Sequence, residues 1–513
     1  MFKYGIDLLT ARKALAIRDG LLEASLTPET RQRMDERHNQ VLNIAKGDDA
    51  VYGINTGFGP LCNTKINAQE TNKLQKNLLL SHSVGVGNPI SQELSKLMLI
   101  LKVHSLCQGF SGISLQIVDR LVWHIENDVL PVVPEQGSVG ASGDLAPLSH
   151  LFLPLIGEGY VWFKDEITTT SQVLEKHQKK PLDLHPKAGL ALINGTQFIL
   201  AHAVELVDRL HNCLTHADII AALMVDGLKA SAMPFHKELH QVRPHSGNVH
   251  VAHRIWHFMK ESAIAKSHED CDRVQDPYSL RCVPQVHGSS RSAWLHLKEA
   301  VEIELNSVTD NPIVFSEEFT ISGGNFHGQP LALPIDYACL AAAELGSISD
   351  RRTYLALDGK YDIPKLLMND TGVNSGFMIC QYTSAALVSE NKGLCFPSSA
   401  DSIPTSMGQE DHVSMGSIGG RKALKVLENL EKILAVELLC AAQAIDFRRP
   451  LKSTPVLEEV HACVREIVTF ADEDRIFSKD IDQLTELIRS RKIAKLIEGK
   501  VPESPYHSSF EDH

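Results

Sequence analysis

From about Leu190 onward the chain runs through long Ala- and Leu-rich stretches almost free of helix breakers. Ser292–Ser307 reads as one helix, ending before Asn311-Pro312 because the residue preceding a proline disfavours the helical region. Ile335–Leu357 reads as a second. Ile418–Phe447 reads as the longest, roughly 45 Å at 1.5 Å per residue. Helices of this length pack their apolar faces against one another, within a subunit or between subunits. The pattern predicts a mainly α protein built on a long-helix bundle.

The first part of the chain reads differently. Thr27-Pro28-Glu29 places a capping hydroxyl ahead of proline at the first helical position, predicting a charged helix to about Lys46. Pro89 and Ser91 open another, with Leu94, Leu97, Leu101 and Leu106 on it. Ile313–Phe315 with Phe319–Ile321, and Tyr160–Phe163 with Ile167–Thr170, read as hairpins. Several Gly-rich loops interrupt this region. The 513 residues divide on this reading into a mixed N-terminal domain, 1–195, and a helical bundle domain, 196–513. The net charge is −13, which argues against nucleic-acid binding. The start Met1–Asp7 lacks a basic, then apolar leader. The most apolar segment, Leu145–Gly157, is broken by Pro147, His150 and Pro154 and is too short to span a bilayer. Ten cysteines contain no C-x-x-C pair, so a reducing cytoplasm is expected.

Three groups of residues carry candidate chemistry. Residues 137–144 read Gly-Ser-Val-Gly-Ala-Ser-Gly-Asp. The tripeptide Ala-Ser-Gly alone is weak, since chance supplies it in about one such chain in five. The surrounding glycines permit a tight turn, and Asp144 followed by Leu145-Ala146-Pro147-Leu148 suggests burial, where backbone groups need partners. A serine nucleophile is one possibility, but Asp144 stands where the nucleophile elbow has its second glycine. No P-loop is present, and Gly53–Gly59 lacks dinucleotide spacing. A second group, His250, His253 and His257, shares one helix face. With no acidic residue on that face, packing or solvation is expected rather than zinc, and no metal site is predicted. A third set is dispersed: Tyr52; Gln275, Tyr278 and Arg281; and Glu410. Tyr52 or Tyr278 is a candidate acid or base, and Arg281 a fork for a carboxylate. A strand-end aromatic, a surface ion pair and a helix-terminal carboxylate are the alternatives.

Taken together, eight segments resemble the aromatic amino acid ammonia-lyase and aminomutase family. They are Tyr52–Gly59, Ser81-His82 before Gly85-Val86-Gly87, Gly137–Leu145, Asn194–Gln197, Arg243-Pro244-His245, Gln275–Cys282, Gly324–His327 and Gln409–Met415. The resemblance implies a fumarase/aspartase-like helical bundle and a self-made cofactor. In that family the Gly143 nitrogen attacks the Ala141 carbonyl, two waters are lost, and Ser142 becomes dehydroalanine in a 4-methylidene-imidazol-5-one (MIO) ring. No external cofactor is implied. Such an electrophile suits elimination of ammonia, because capturing the amino group makes it a better leaving group.

By the same resemblance Tyr52 is the base, and Arg281 binds the substrate carboxylate. Asn194, Gln275 and Tyr278 orient substrate and support the cofactor loop, Phe326 lines the pocket, and His82 and Glu410 face the side chain. Ser142, Tyr52, Tyr278 and Glu410 form the catalytic set. Ser81-His82 matches the histidine-specific members, where tyrosine enzymes carry His-Leu and phenylalanine enzymes Phe-Leu. The implied reaction is L-histidine to trans-urocanate, the first step of histidine breakdown. The alternative is a tyrosine or phenylalanine lyase, or an aminomutase. Met407-Gly408 and His287 depart from the usual pattern, at positions expected to flank the site. A homotetramer with shared active sites, no nucleic acid and no membrane completes the expectation.

Overall fold

A computed structural model describes residues 1–57, 66, 68–268 and 274–511. Phe58 and Gly59 of the Gly-rich segment lie outside the described residues. The fold is mainly helical. The long stretches form Gln197–Gly227, Val283–Leu305, Gln329–Leu357 and Gly416–Asp446. Ile418–Phe447 is therefore matched almost end to end, while two helices begin earlier than their patterns suggest. Val283–Leu305 starts nine residues before Ser292, and Gln329–Leu357 carries Pro334 inside it. Burial of Leu331, Ala332 and Ile335 (0–1% exposed) offsets the hydrogen bond that an interior proline removes. Gln329–Leu357 is also long and apolar enough to cross a membrane by composition. In the apolar window that passes this test 61% of residues are buried, as in a core helix.

The described residues fall into two compact units of interleaved segments, not a single cut at 195/196. The first comprises Met1–Glu205, Glu299–Asp336 and Pro397–Arg421, the second Leu206–Lys298, Tyr337–Phe396 and Lys422–His513.

The first unit contains the helices Pro28–Lys46 and Gln92–Leu106, capped by Thr27 and Ser91 as their sequences require. Tyr160–Phe163 pairs antiparallel with Glu166–Thr169, Trp162 opposite Ile167, and Leu130–Pro131 adds a third strand. Ile313–Val314 pairs with Thr320–Ile321. Gln92–Leu106 is the central helix: from Leu97 to Leu106 every residue is buried, Lys102 included.

The second unit packs apolar helix faces around buried ion pairs. Trp294 is fully buried and donates its indole N–H to the Val207 carbonyl (2.8 Å). Arg352 and Glu437, both 0% exposed, meet at 2.5 Å, and Ser349 also donates to Glu437. The histidine run belongs to this packing. His250 contacts Ser504 Oγ and Glu511 Oε1, His253 the Pro502 carbonyl, and His257 the His253 carbonyl. A carboxylate does reach the run, from Glu511, but Arg254 and Arg291 share it. Removing one partner of a buried pair strands the other charge. Glu437→Ala is therefore expected to cost about 3–5 kcal/mol, measured by denaturant unfolding, and a loss below about 1 kcal/mol would contradict the assigned role.

Candidate functional site

The Gly137–Asp144 segment folds as a turn held from two sides. Met415 N–H donates to the Val139 carbonyl (3.0 Å), and Ser417 Oγ to the Ser138 carbonyl (2.7 Å). Ala141 packs with Val413, Met415 and Val139. On the other side a parallel bridge joins Gly143 and Gly195. Its bonds come from the flanking groups: Asp144 N–H to the Gly195 carbonyl (2.9 Å), and Gly195 N–H to the Ser142 carbonyl (3.3 Å). The Gly143 N–H thus stands outside the bridge. Gly143 is required here, because it has φ +84 and an added Cβ would lie 2.1 Å from the Gly195 oxygen. Ser142 itself has φ +48, a left-handed conformation costly for a residue with a side chain.

Asp144 anchors this turn. It precedes the helix Leu145–Phe152 but caps another: its Oδ2 accepts the Phe198 and Ile199 N–H groups at 3.0 Å each, at the start of Gln197–Gly227. The carboxyl is fully buried. Burial pushes it up to about 7, although bonds from Ile199, Phe198 and Ser138 pull the other way.

Ser142 opens into a cavity of about 900 Å³ within the first unit. Tyr52, His82, Asn194, Phe326 and Glu410 line it with Ser142. Ser142 Oγ donates to Glu410 Oε1 at 3.1 Å. Glu410 Oε2 accepts from Thr405 Oγ1 (3.0 Å) and Ser406 Oγ (2.8 Å), fixing the carboxylate. His82 Nδ1 lies 2.9 Å from Ser81 Oγ. Burial lowers the His82 pKa, with the Leu78 carbonyl and Glu410 opposing it. Six of the expected residues are therefore brought together.

Three others are not among them. Gln275 and Arg281 line a different cavity, of about 820 Å³, in the second unit. Tyr278 opens the short helix Tyr278–Arg281 and is 71% exposed. Arg281 Nε donates to the Asp276 carbonyl, and its guanidinium sits 4.5 Å from the Tyr278 ring centroid. Of the two departures, Met407 is 94% exposed beside the cavity residues Ser406 and Gln409. His287 is not among the residues lining the cavity: it is fully buried in the second unit, 2.9 Å from Asp218. The wall also takes Gln409, at the head of the Gln409–Met415 segment, and Asn77 and Asn311, which sequence pattern alone does not single out. Asn311 carries one signal, the Asp310-Asn311-Pro312 break after a helix.

Long helices, and a left-handed Ser-Gly turn whose hydroxyl faces a cavity holding a fixed carboxylate, define the site. The family model for aromatic amino acid lyases matches residues 9–466, and the chain belongs to that family. Histidine ammonia-lyase of Homo sapiens is 45% identical over 494 residues, 95% of this chain and 75% of that protein. The crystal structure of histidine ammonia-lyase from Trypanosoma cruzi superposes with TM-score 0.91 at 40% identity, covering 99% of this chain and 96% of that one. A tyrosine aminomutase from Streptomyces globisporus also superposes with TM-score 0.91, at 32% identity, covering 97% and 98%.

The Asp144 carboxyl generates a prediction in pH. An unfolded chain releases this proton near pH 4, whereas the folded state holds it to about 7. The folded state binds it more tightly, so the stability it contributes is complete below about pH 4 and is lost as pH rises through 7. Asp144→Asn stays neutral throughout. The melting temperature of the wild type relative to this variant is expected to fall between about pH 4 and pH 8; a constant difference would contradict the burial argument.

Proposed function

We propose that the chain is an ammonia-lyase converting L-histidine to trans-urocanate and ammonia, through an MIO group made from Ala141, Ser142 and Gly143. The observation that carries this reading is the Ser142 hydroxyl, 3.1 Å from Glu410 on a left-handed turn facing the cavity. The residues fit the group. Ser142 has a β-hydroxyl to lose, the Gly143 nitrogen is outside the bridge to Gly195, and Ser142 and Gly143 both have positive φ, +48 and +84. The group, once formed, supplies an electrophile for the substrate amine, which no ordinary side chain offers.

The chain's own residues do the remaining work. Tyr52 takes the β-proton on its phenolic oxygen. Glu410, held by Thr405 and Ser406, accepts an imidazole N–H. His82, whose Nδ1 is engaged by Ser81 Oγ and whose pKa burial lowers, offers the ring its Nε2. Asn194 orients the substrate and Phe326 supplies an apolar wall. Arg281 binds the substrate carboxylate in its planar fork, with Gln275 and Tyr278 beside it.

Tyr278 and Val274, 71% and 100% exposed, leave this segment open to a neighbouring subunit, whose cavity it would complete in a homotetramer. Histidine is favoured over tyrosine or phenylalanine, and a lyase over an aminomutase, by Ser81-His82, by Glu410, and by higher identity to the histidine enzymes (40–45%) than to the aminomutase (32%). The described cysteines are free thiols, which supports a cytoplasmic setting. No external cofactor, metal, membrane or nucleic acid enters this reading.

Ser142→Ala has no hydroxyl to eliminate, and is expected to abolish turnover with the melting temperature unchanged; near-wild-type turnover would overturn the reading. Glu410→Gln removes a charged acceptor matched to imidazole. It is expected to lower kcat/KM for histidine about 100-fold while altering residual phenylalanine turnover by less than about threefold. Equal losses on both substrates would make Glu410 a general catalytic group, and wild type preferring tyrosine would overturn the substrate assignment.

A further inference from the structure

Lys102 lies on the central helix Gln92–Leu106 within an otherwise mostly apolar run, fully buried. Its Nζ donates to the Asn194 carbonyl at 2.5 Å. Among the described residues it makes no ion pair, whereas the neighbouring buried Lys187 is paired with Asp310 at 2.5 Å. Burying a charge against a neutral carbonyl is expensive unless the contact has a use.

The other end of the same peptide unit shows that use. The Asn194 carbonyl and the Gly195 N–H belong to one amide, and that N–H donates to the Ser142 carbonyl (3.3 Å). A cation on an amide oxygen polarises the amide and strengthens the hydrogen bond its N–H donates. Gly195 is suited to the position, having φ +130 and room for no Cβ, which would meet Gln197 Oε1 at 2.5 Å.

We propose that Lys102 is a positioning residue for the reaction, acting through the Asn194–Gly195 amide to hold and polarise the Ser142 carbonyl. This rests on the MIO reading above. In that group the Ser142 carbonyl is conjugated with the Ser142 Cα=Cβ bond. That conjugation would place developing negative charge on the Ser142 oxygen when the group acts as an electrophile at Cβ. The Gly195 N–H would meet that charge as a pre-placed donor, and Lys102 in its protonated form would make the donor stronger. Burial draws Lys102 down to about 7, with Lys187 adding to the effect and Asp310 and Asp144 opposing it.

The test uses the full-length enzyme and Lys102→Met, which keeps length and loses the charge. Intact mass first establishes whether wild type has lost two waters; if it has not, the MIO reading fails before the role of Lys102 is reached. With the loss present in both proteins, Lys102→Met is expected to show a displaced near-ultraviolet absorbance of the group. Its kcat for histidine is expected to drop about tenfold or more, with KM within about twofold. Unchanged absorbance and kcat would overturn the proposal and leave the MIO reading standing. A variant that folds but loses no water would overturn it too, moving Lys102 to formation of the group. If Lys102→Met yields no folded protein, Lys102→Gln, a neutral donor, is read by the same criteria.

Discussion

The site depends on one buried carboxylate. Asp144 is shut away from water, and its Oδ2 accepts the Phe198 and Ile199 N–H groups in the first turn of the helix Gln197–Gly227. That bond fixes where the Gly137–Asp144 turn ends, and with it the bridge between Gly143 and Gly195. The bridge leaves Ser142 on a left-handed backbone with its hydroxyl toward Glu410. A free peptide would not keep that conformation, and the surrounding packing over-determines it.

Around the turn the protein has placed charge with little water to screen it. Lys102, Lys187, Asp310 and Asp144 are all nearly or fully buried in the first unit. Two of them pair with each other, while Lys102 addresses the Asn194 carbonyl and Asp144 the Phe198 and Ile199 N–H groups, on backbone flanking the bridge at Gly195. In a low-dielectric interior such groups act strongly on neighbouring dipoles. The cavity side is gentler, with Thr405 and Ser406 orienting Glu410, and Ser81 beside His82. The interior holds the turn, and the cavity wall presents side chains to the space in front of it.

Much of the fold is legible where local chemistry marks an element's ends. Thr27-Pro28 and Ser91 announce helices that the structure caps with those side chains. Val283–Leu305 is read short because Pro284 and Gly288 look like loop residues, yet both are helical within a packed unit. The candidate site is legible only through its resemblance to a family. Tyr52, His82, Ser142, Asn194, Phe326 and Glu410 are far apart in the chain, and no periodicity links them. Lys102 left a trace, a lone charge in a helical run of Leu, Ile, Met and Val, but its meaning needs the Asn194 carbonyl at its tip. His287 shows the converse. It stands out in sequence, yet its partner is Asp218 and its place is the interior.

The account turns on a covalent change in this chain's own backbone, so the most direct measurement is mass. The purified full-length protein is weighed intact, and the peptide containing Ala141–Gly143 is isolated and weighed again. The account predicts a deficit of two waters, confined to that peptide and absent from Ser142→Ala. An unmodified mass, or a deficit located elsewhere in the chain, would contradict it.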